Sequence, residues 1–160
     1  MHSGSRKDVG RDFNSHYVLG KKIGYGNFAN VYEAIQISSK RTFAAKATSV
    51  SGEKSELAAK SIERELRTMK NLNHPNIVKL LDSFESRVST SEYTVFIIFE
   101  LISGGDLYSR LKMGTKFNEK DARCIVMSLL SAVEYLHDNN IVHRCVRSFY
   151  SCQTLLRQAI

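Results

Sequence analysis

Proline is scarce in this chain: Pro75 is the only one in 160 residues, against a usual ~5%, so none interrupts residues 76 to 160. Cysteine is also sparse. Cys124, Cys145 and Cys152 are odd in number and show no C-x-x-C spacing, which supports neither a disulfide framework nor a zinc site and leaves reduced thiols as the expectation. Long apolar runs are missing too. The longest, Val95 to Phe99, falls far short of the ~20 residues that a bilayer crossing needs, and the charged N-terminus has no stretch resembling a signal peptide. An intracellular protein, cytoplasmic or nuclear, with no membrane span is expected.

What is present is an ordinary globular composition, 42% apolar and 24% charged, which argues against a wholly disordered chain and fits one domain or an incomplete larger one. Acidic residues are in deficit, giving a net charge of +7 and a pI near 9.4. A surplus of that size invites a nucleic-acid or anionic-membrane reading. Its distribution argues otherwise, because residues 1–22 and 143–160 each carry +3 and the 120 residues between them only +1. No basic stripe with interleaved aromatics lies inside the folded part, so solvated ends are the better account and nucleic acid is not an expected partner.

Residues 1–15 are small and polar and read as a flexible leader, with structure starting near Tyr17. Short alternating runs at Tyr17–Ile23, Ala29–Ile35 and Thr42–Lys46 are separated by Gly24-Tyr25-Gly26 and by Ser38-Ser39-Lys40-Arg41, which predicts an antiparallel meander. Glu53–Leu72 is rich in Ala, Glu, Lys, Arg and Leu, and Ile62, Leu66 and Met69 repeat at i, i+4, i+7, predicting an amphipathic helix. Asn76–Phe84 and Glu92–Leu101 read as two further strands in hairpin order, completing a sheet of five. A short helix is expected at Leu107–Lys112. Asn118 then caps a long helix to about His137, striped by Ile125, Leu129, Val133 and Leu136.

Two features carry chemistry. Gly24-x-Gly26-x-x-Ala29, followed by Val31, lies between predicted strands, where glycines let a turn's backbone approach phosphate oxygens. A dinucleotide site is excluded by context, since such a loop should open a helix and meet an acidic residue ~20 positions on, whereas this loop enters a strand and meets Lys46. A plain glycine hairpin remains open. Lys46 itself ends the apolar run Phe43-Ala44-Ala45, and an unpaired ammonium on a half-buried strand is costly. Glu63 has Lys60 at i−3 and Arg67 at i+4, which can satisfy it on the helix surface. Glu65 has Ser61, Ile62, Thr68 and Met69 at the corresponding positions, borders the apolar stripe and is expected to reach Lys46, with a solvated carboxylate as the alternative.

Read in order, these residues resemble the eukaryotic protein kinase domain. The resemblance rests on the glycine loop with Val31, on Ala44-Ala45-Lys46 as a version of V-A-I-K, and on Glu65 in a helix ahead of Leu72-Asn73-His74-Pro75-Asn76-Ile77-Val78. It continues through Phe99-Glu100-Leu101-Ile102-Ser103-Gly104-Gly105-Asp106-Leu107 as the hinge and through Tyr135-Leu136-His137 and Ile141-Val142-His143-Arg144 as the approach to a catalytic loop. It covers about residues 17 to 144 and has the look of the calcium/calmodulin-dependent and checkpoint serine/threonine kinases. It implies an α+β fold: an N-lobe of five antiparallel strands plus helix C, followed by an incomplete helical C-lobe. The implied divisions are 1–15 leader, 16–102 N-lobe and hinge, 103–144 partial C-lobe and 145–160 divergent tail.

The resemblance also implies roles. Ile23, Val31 and Ala44 would line the adenine pocket, with Phe99 as gatekeeper and the backbone of Glu100 and Ile102 bonding the base. Asp106 would face the ribose. Lys46, held by Glu65, would pair the α- and β-phosphates of ATP beneath the loop at Gly24, Gly26 and Phe28.

The pattern stops at the catalytic loop. Where the family reads H-R-D-L-K-x-x-N, this chain reads His143-Arg144-Cys145-Val146-Arg147-Ser148-Phe149-Tyr150. Cys145 takes the base position, and a thiol of ordinary pKa ~8.5 is mostly neutral where a carboxylate is required. Tyr150 takes the metal-binding Asn position, and no Asp-Phe-Gly or Ala-Pro-Glu follows, so no intact catalytic residue and no protein ligand for magnesium is expected beyond what ATP itself carries. Impaired phosphoryl transfer follows. Cys145 as a nucleophile beside Arg144 is the less favoured alternative. The departure from the family at Cys145 suggests a shifted reading frame, an alternative transcript or a truncated gene. An apolar stripe on the long helix, uncovered in such a chain, would attract chaperones or self-association. Three readings follow: an impaired ATP-binding serine/threonine kinase domain, a pseudokinase-like module competing for a full-length relative's partners, or a fragment with no selected role.

Overall fold

The computed structural model describes residues 12–25, 29–52, 55–87, 89, 92–102 and 107–142. They fall into two compact units. A sheet unit takes Met1–Lys70 with Leu80–Leu101, and a helical unit takes Asn71–Lys79 with Ile102–Ile160.

The sheet unit contains β1 (Tyr17–Tyr25), β2 (Asn30–Gln36), β3 (Thr42–Val50), α1 (Ser55–Lys70), β4 (Leu80–Arg87) and β5 (Tyr93–Glu100). The strands form one antiparallel sheet in the order β1-β2-β3-β5-β4, so the predicted five-stranded α+β arrangement holds. The β2–β3 turn closes with Gln36 N–H donating to Arg41 O at 2.9 Å. Lys40 there takes a left-handed φ of 59°, an uncommon conformation for a residue with a side chain. In β1 the pairing with β2 slips between Leu19 and Gly24. Gly20 lies where an added Cβ would come 3.1 Å from the Glu33 Cβ, so glycine there permits the close approach of the two strands.

Phe13, Tyr17, Ala34, Ala45, Phe84 and Ile98 form one buried cluster. On a flat sheet β1 and β4 would be four strand spacings apart, ~19 Å. The Tyr17 and Phe84 ring centroids are nevertheless only 5.6 Å apart. The sheet is therefore strongly curled, with this cluster filling its hollow.

A structured turn precedes the first predicted strand. Residues 13–15 form a 3-10 turn whose N-cap Asp12 accepts a hydrogen bond from Asn14 N–H at 3.3 Å, and Phe13 is completely buried. The leader expected at 1–15 thus ends in a core residue. A lone aromatic among polar neighbours gives no periodic signal, and its burial depends on strands far along the chain.

On α1, Glu56 in the first turn and Arg67 and Lys70 in the last complement the helix dipole. Ile62 and Met69 are buried and Leu66 half-buried, as the i, i+4, i+7 spacing requires. Glu56–Lys60 and Glu63–Arg67 pair along the exposed face at 2.7 and 3.2 Å.

The helical unit contains α2 (Leu107–Lys112) and α3 (Glu119–Asp138). Asn118 caps α3, its Oδ1 accepting from Asp121 N–H at 2.8 Å. The strand predicted from Asn76 starts only at Leu80. In place of extended pairing, Asn76 N–H donates to His74 Nδ1 and Ile77 N–H to His74 O, both at 3.1 Å. This local turn outcompetes a ladder, and Ile77 and Val78 are buried within it.

The stripe predicted on α3 is the covered arc of the helix, so what needs correction is the expectation that it lies uncovered. Leu136 is buried and Ile125, Leu129 and Val133 are half-buried, while the exposed apolar side chains are Val126, Met127 and Leu130 at 50%, 60% and 55%. Apolar residues occupy two arcs of this helix, and spacing alone selected the covered one.

Candidate functional site

The candidate site lies on the face of the sheet opposite the aromatic cluster. Side chains alternate along strands and directly paired residues share a face. Lys46 of β3 is paired with Val31 of β2 and Ile97 of β5, and Ala44 with Glu33 and Phe99. Val31, Ala44, Lys46 and Phe99 therefore share one face. Phe43, Ala45, Phe96 and Ile98 take the other, with the cluster.

Lys46 Nζ donates to Glu65 Oε1 of α1 at 2.5 Å. The ion pair anticipated from helical spacing is thus present, and Glu65, without a basic neighbour on its own helix, reaches the strand. The two side chains are 20% and 36% exposed. In that partly solvated setting the pair contributes about 1 kcal/mol or less, so its main effect is geometric. It fixes an ammonium on a surface where Val31 and Ala44 are only half-buried. A lysine so placed can pair with an anion, and the small Ala44 leaves room for a flat group against the sheet.

Of the remaining predicted site residues, Gly24 is opposite Val31. Half-buried Ile23 falls in the β1 irregularity between Lys22 and Gly24. Glu100 ends β5 opposite Phe43, so alternation turns its side chain away from the Lys46 face and leaves its backbone for the role expected of it. Ile102 belongs to the helical unit. Gly26, Phe28, Asp106 and Cys145 lie outside the described residues, as does Tyr150.

Sequence reasoning missed the Lys21–Glu33 pair, at 3.3 Å, which requires the β1–β2 register. It also missed the tie between the 71–79 segment and α3. Asn73 N–H donates to the Tyr135 hydroxyl at 3.0 Å, and His74 Nε2 lies 3.1 Å from Ser131 Oγ. Because His74 Nδ1 accepts from a backbone N–H, the assigned tautomer makes Nε2 the donor. Among the described residues no group of three or more His, Cys, Asp or Glu could hold a metal ion.

A strand lysine clamped by a helix glutamate, on a curled five-stranded sheet, places the molecule among the protein kinases. A family model of the protein kinase domain matches residues 17–148, and the chain belongs to that family. It is 36% identical over 141 residues to the serine/threonine-protein kinase DCLK3 of mouse, an alignment covering 87% of this chain and 17% of that relative. It is 34% identical over 147 residues to the human serine/threonine-protein kinase DCLK2, covering 91% and 18%. With the serine/threonine-protein kinase DCLK1 of rat it shares 38% over 133 residues, covering 82% and 29%. The chain thus spans less than a third of the length of each of these relatives.

Proposed function

We propose that this chain is a serine/threonine-type kinase domain that binds ATP and, in this form, does not transfer its terminal phosphate. The observation carrying the first half is the Lys46–Glu65 ion pair at 2.5 Å. Lys46 is the ligand for the α- and β-phosphates, and Glu65 holds its ammonium in place. Ile23, Val31 and Ala44 form the apolar wall for adenine, Phe99 limits its depth, and the backbone of Glu100 and Ile102 bonds its edge. Gly24, Gly26 and Phe28 cover the phosphates, and Asp106 meets the ribose. These assignments follow the family pattern residue by residue.

The second half rests on residues 145 and 150 rather than on where the chain stops. The family's base carboxylate and metal-ligating amide are replaced by Cys145 and Tyr150. Magnesium bound to ATP would supply positive charge at the phosphates. Tyr150, standing where the family has its metal-ligating Asn, offers no carboxamide to hold that ion, and this chain's own side chains bind and orient the nucleotide. A nucleotide held without a carboxylate to receive the substrate hydroxyl's proton is held in an unproductive complex.

The test is transfer of labelled phosphate from ATP to a generic protein substrate, with Lys46→Met as control, alongside melting curves with and without ATP. The expected result is no transfer above the control together with a raised melting temperature for the wild type alone, since a ligand at a hundred times its Kd adds about 2.7 kcal/mol. Transfer above the control refutes the claim of inactivity, and an absent thermal shift refutes nucleotide binding.

A second reading, a non-enzymatic interaction module, is favoured by one observation, the exposed Val126, Met127 and Leu130 on α3. Contiguous apolar surface of this kind takes protein partners, chaperones included, or another copy of the chain. Among the described residues no helix is long and apolar enough to cross a membrane.

A further inference from the structure

The aromatic filling of the curled sheet includes one side chain from outside it. Phe13, on the 3-10 turn before β1, is completely buried. Its ring stacks on Phe96 of β5 with centroids 4.2 Å apart and on Tyr17 at 5.7 Å, and meets Phe84 of β4 edge-on at 5.9 Å. Its turn touches both β1 and β4, the two edges of the sheet. The segment is anchored independently of that ring. Ile37 N–H donates to His16 O at 2.9 Å, and the His16 ring lies 5.3 Å from that of Phe84.

The space for Phe13 is made by small residues. Ala34 and Ala45, both fully buried, face the hollow from the inner strands β2 and β3. Directly across the sheet from this filling are the residues of the candidate site. Phe96 is paired with Ala47, next to Lys46, and Ile98 with Ala45, between Ala44 and Lys46. A closely packed interior transmits displacement, so the ring on one face sets how far the strands carrying the other face can shift or flatten.

We propose that Phe13 is a positioning residue for the nucleotide site, a strap that bridges both sheet edges and fixes the curl holding Lys46, Ala44 and Phe99 in their binding arrangement. This rests on the reading that the Lys46 face binds ATP. Phe13 touches no nucleotide in this account and acts only through β3 and β5.

The experiment uses the full 160-residue chain carrying Phe13→Ala or Phe13→Leu, at a temperature where far-UV circular dichroism remains native. Phe13→Val replaces the alanine variant if the latter does not fold. Two quantities are read: the Kd of a fluorescent ATP analogue, and amide hydrogen exchange at residues 44–47 and 96–99. The cavity variant is expected to bind the analogue about 2- to 30-fold more weakly, the range seen for residues that modulate a site without touching its ligand, and to exchange faster in both segments. Phe13→Leu, which keeps most of the volume, is expected to stay within about twofold of wild type. A folded cavity variant with lowered melting temperature but unchanged Kd and unchanged exchange at 44–47 and 96–99 overturns the proposal and leaves Phe13 as core alone. If the wild type binds no nucleotide, the functional reading fails by itself, and the exchange data still decide whether Phe13 holds these strands.

Discussion

The two units use their apolar residues differently. In the sheet unit, rings drawn from Phe13, Tyr17, Phe84 and Phe96 meet across the hollow of a curled sheet, and the opposite face carries an ion pair set by strand register and helix phase. Among the described residues of the helical unit the buried set is smaller, Leu72, Ile77, Val78, Ala132 and Leu136, while α3 also carries Val126, Met127 and Leu130 exposed on another arc. The sheet is constrained from both faces and can hold a charged group at a fixed position. The helix is covered on one arc and offers a surface on the other. On the proposed reading, nucleotide binding belongs to the first unit and association to the second.

That contrast can be broken by substitution. Ile98→Ala, at a fully buried position of the sheet, is expected to cost roughly 2–5 kcal/mol, read from urea denaturation of the intact chain. A cost below about 1 kcal/mol would mean that the sheet is not tightly packed. Asn118→Ala removes the cap of α3 and is expected to cost about 1 kcal/mol. Tyr135→Phe, which takes away the hydroxyl that receives Asn73 N–H, should cost a similar amount, about 1 kcal/mol. Differential hydrogen exchange should place both losses in the helical unit. Leu130→Lys is expected to leave stability within about 0.5 kcal/mol while reducing binding of an apolar dye and any self-association seen by light scattering. A large stability loss in that variant would show that Leu130 is covered rather than exposed.

Much of this was legible in the chain, for identifiable reasons. Helical phase needs only local counting, so the i, i+4, i+7 spacing at Ile62, Leu66 and Met69 located α1, and the absence of a basic neighbour singled out Glu65 as the partner of Lys46. Capping is equally local, and Asn118 marked the start of α3 correctly. What failed was whatever depends on distant segments. Asn76-Ile77-Val78 has the composition of a strand, yet the imidazole and carbonyl of His74 capture the backbone donors that a ladder would need. Phe13 sits among polar residues, and only the closure of β1 toward β4 creates a place for it. On α3 counting residues picked out the arc that the fold covers, but it gave no sign that the stripe would be covered or that Val126, Met127 and Leu130 would form a second, exposed arc. The individual site roles of Ile23, Val31, Ala44 and Phe99 came from the order of motifs. The register then shows that three of them, Val31, Ala44 and Phe99, share a face with Lys46.

The most direct test of the account is calorimetric titration of ATP into the wild-type chain, Glu65→Gln and Lys46→Met. Saturable binding by the wild type is expected, weakened in Glu65→Gln and at least about tenfold weaker in Lys46→Met, a difference of ~1.4 kcal/mol or more, with all three proteins equally folded by circular dichroism. Equal affinity in the wild type and Lys46→Met would contradict the claim that this lysine, held by its helix glutamate, is the nucleotide clamp.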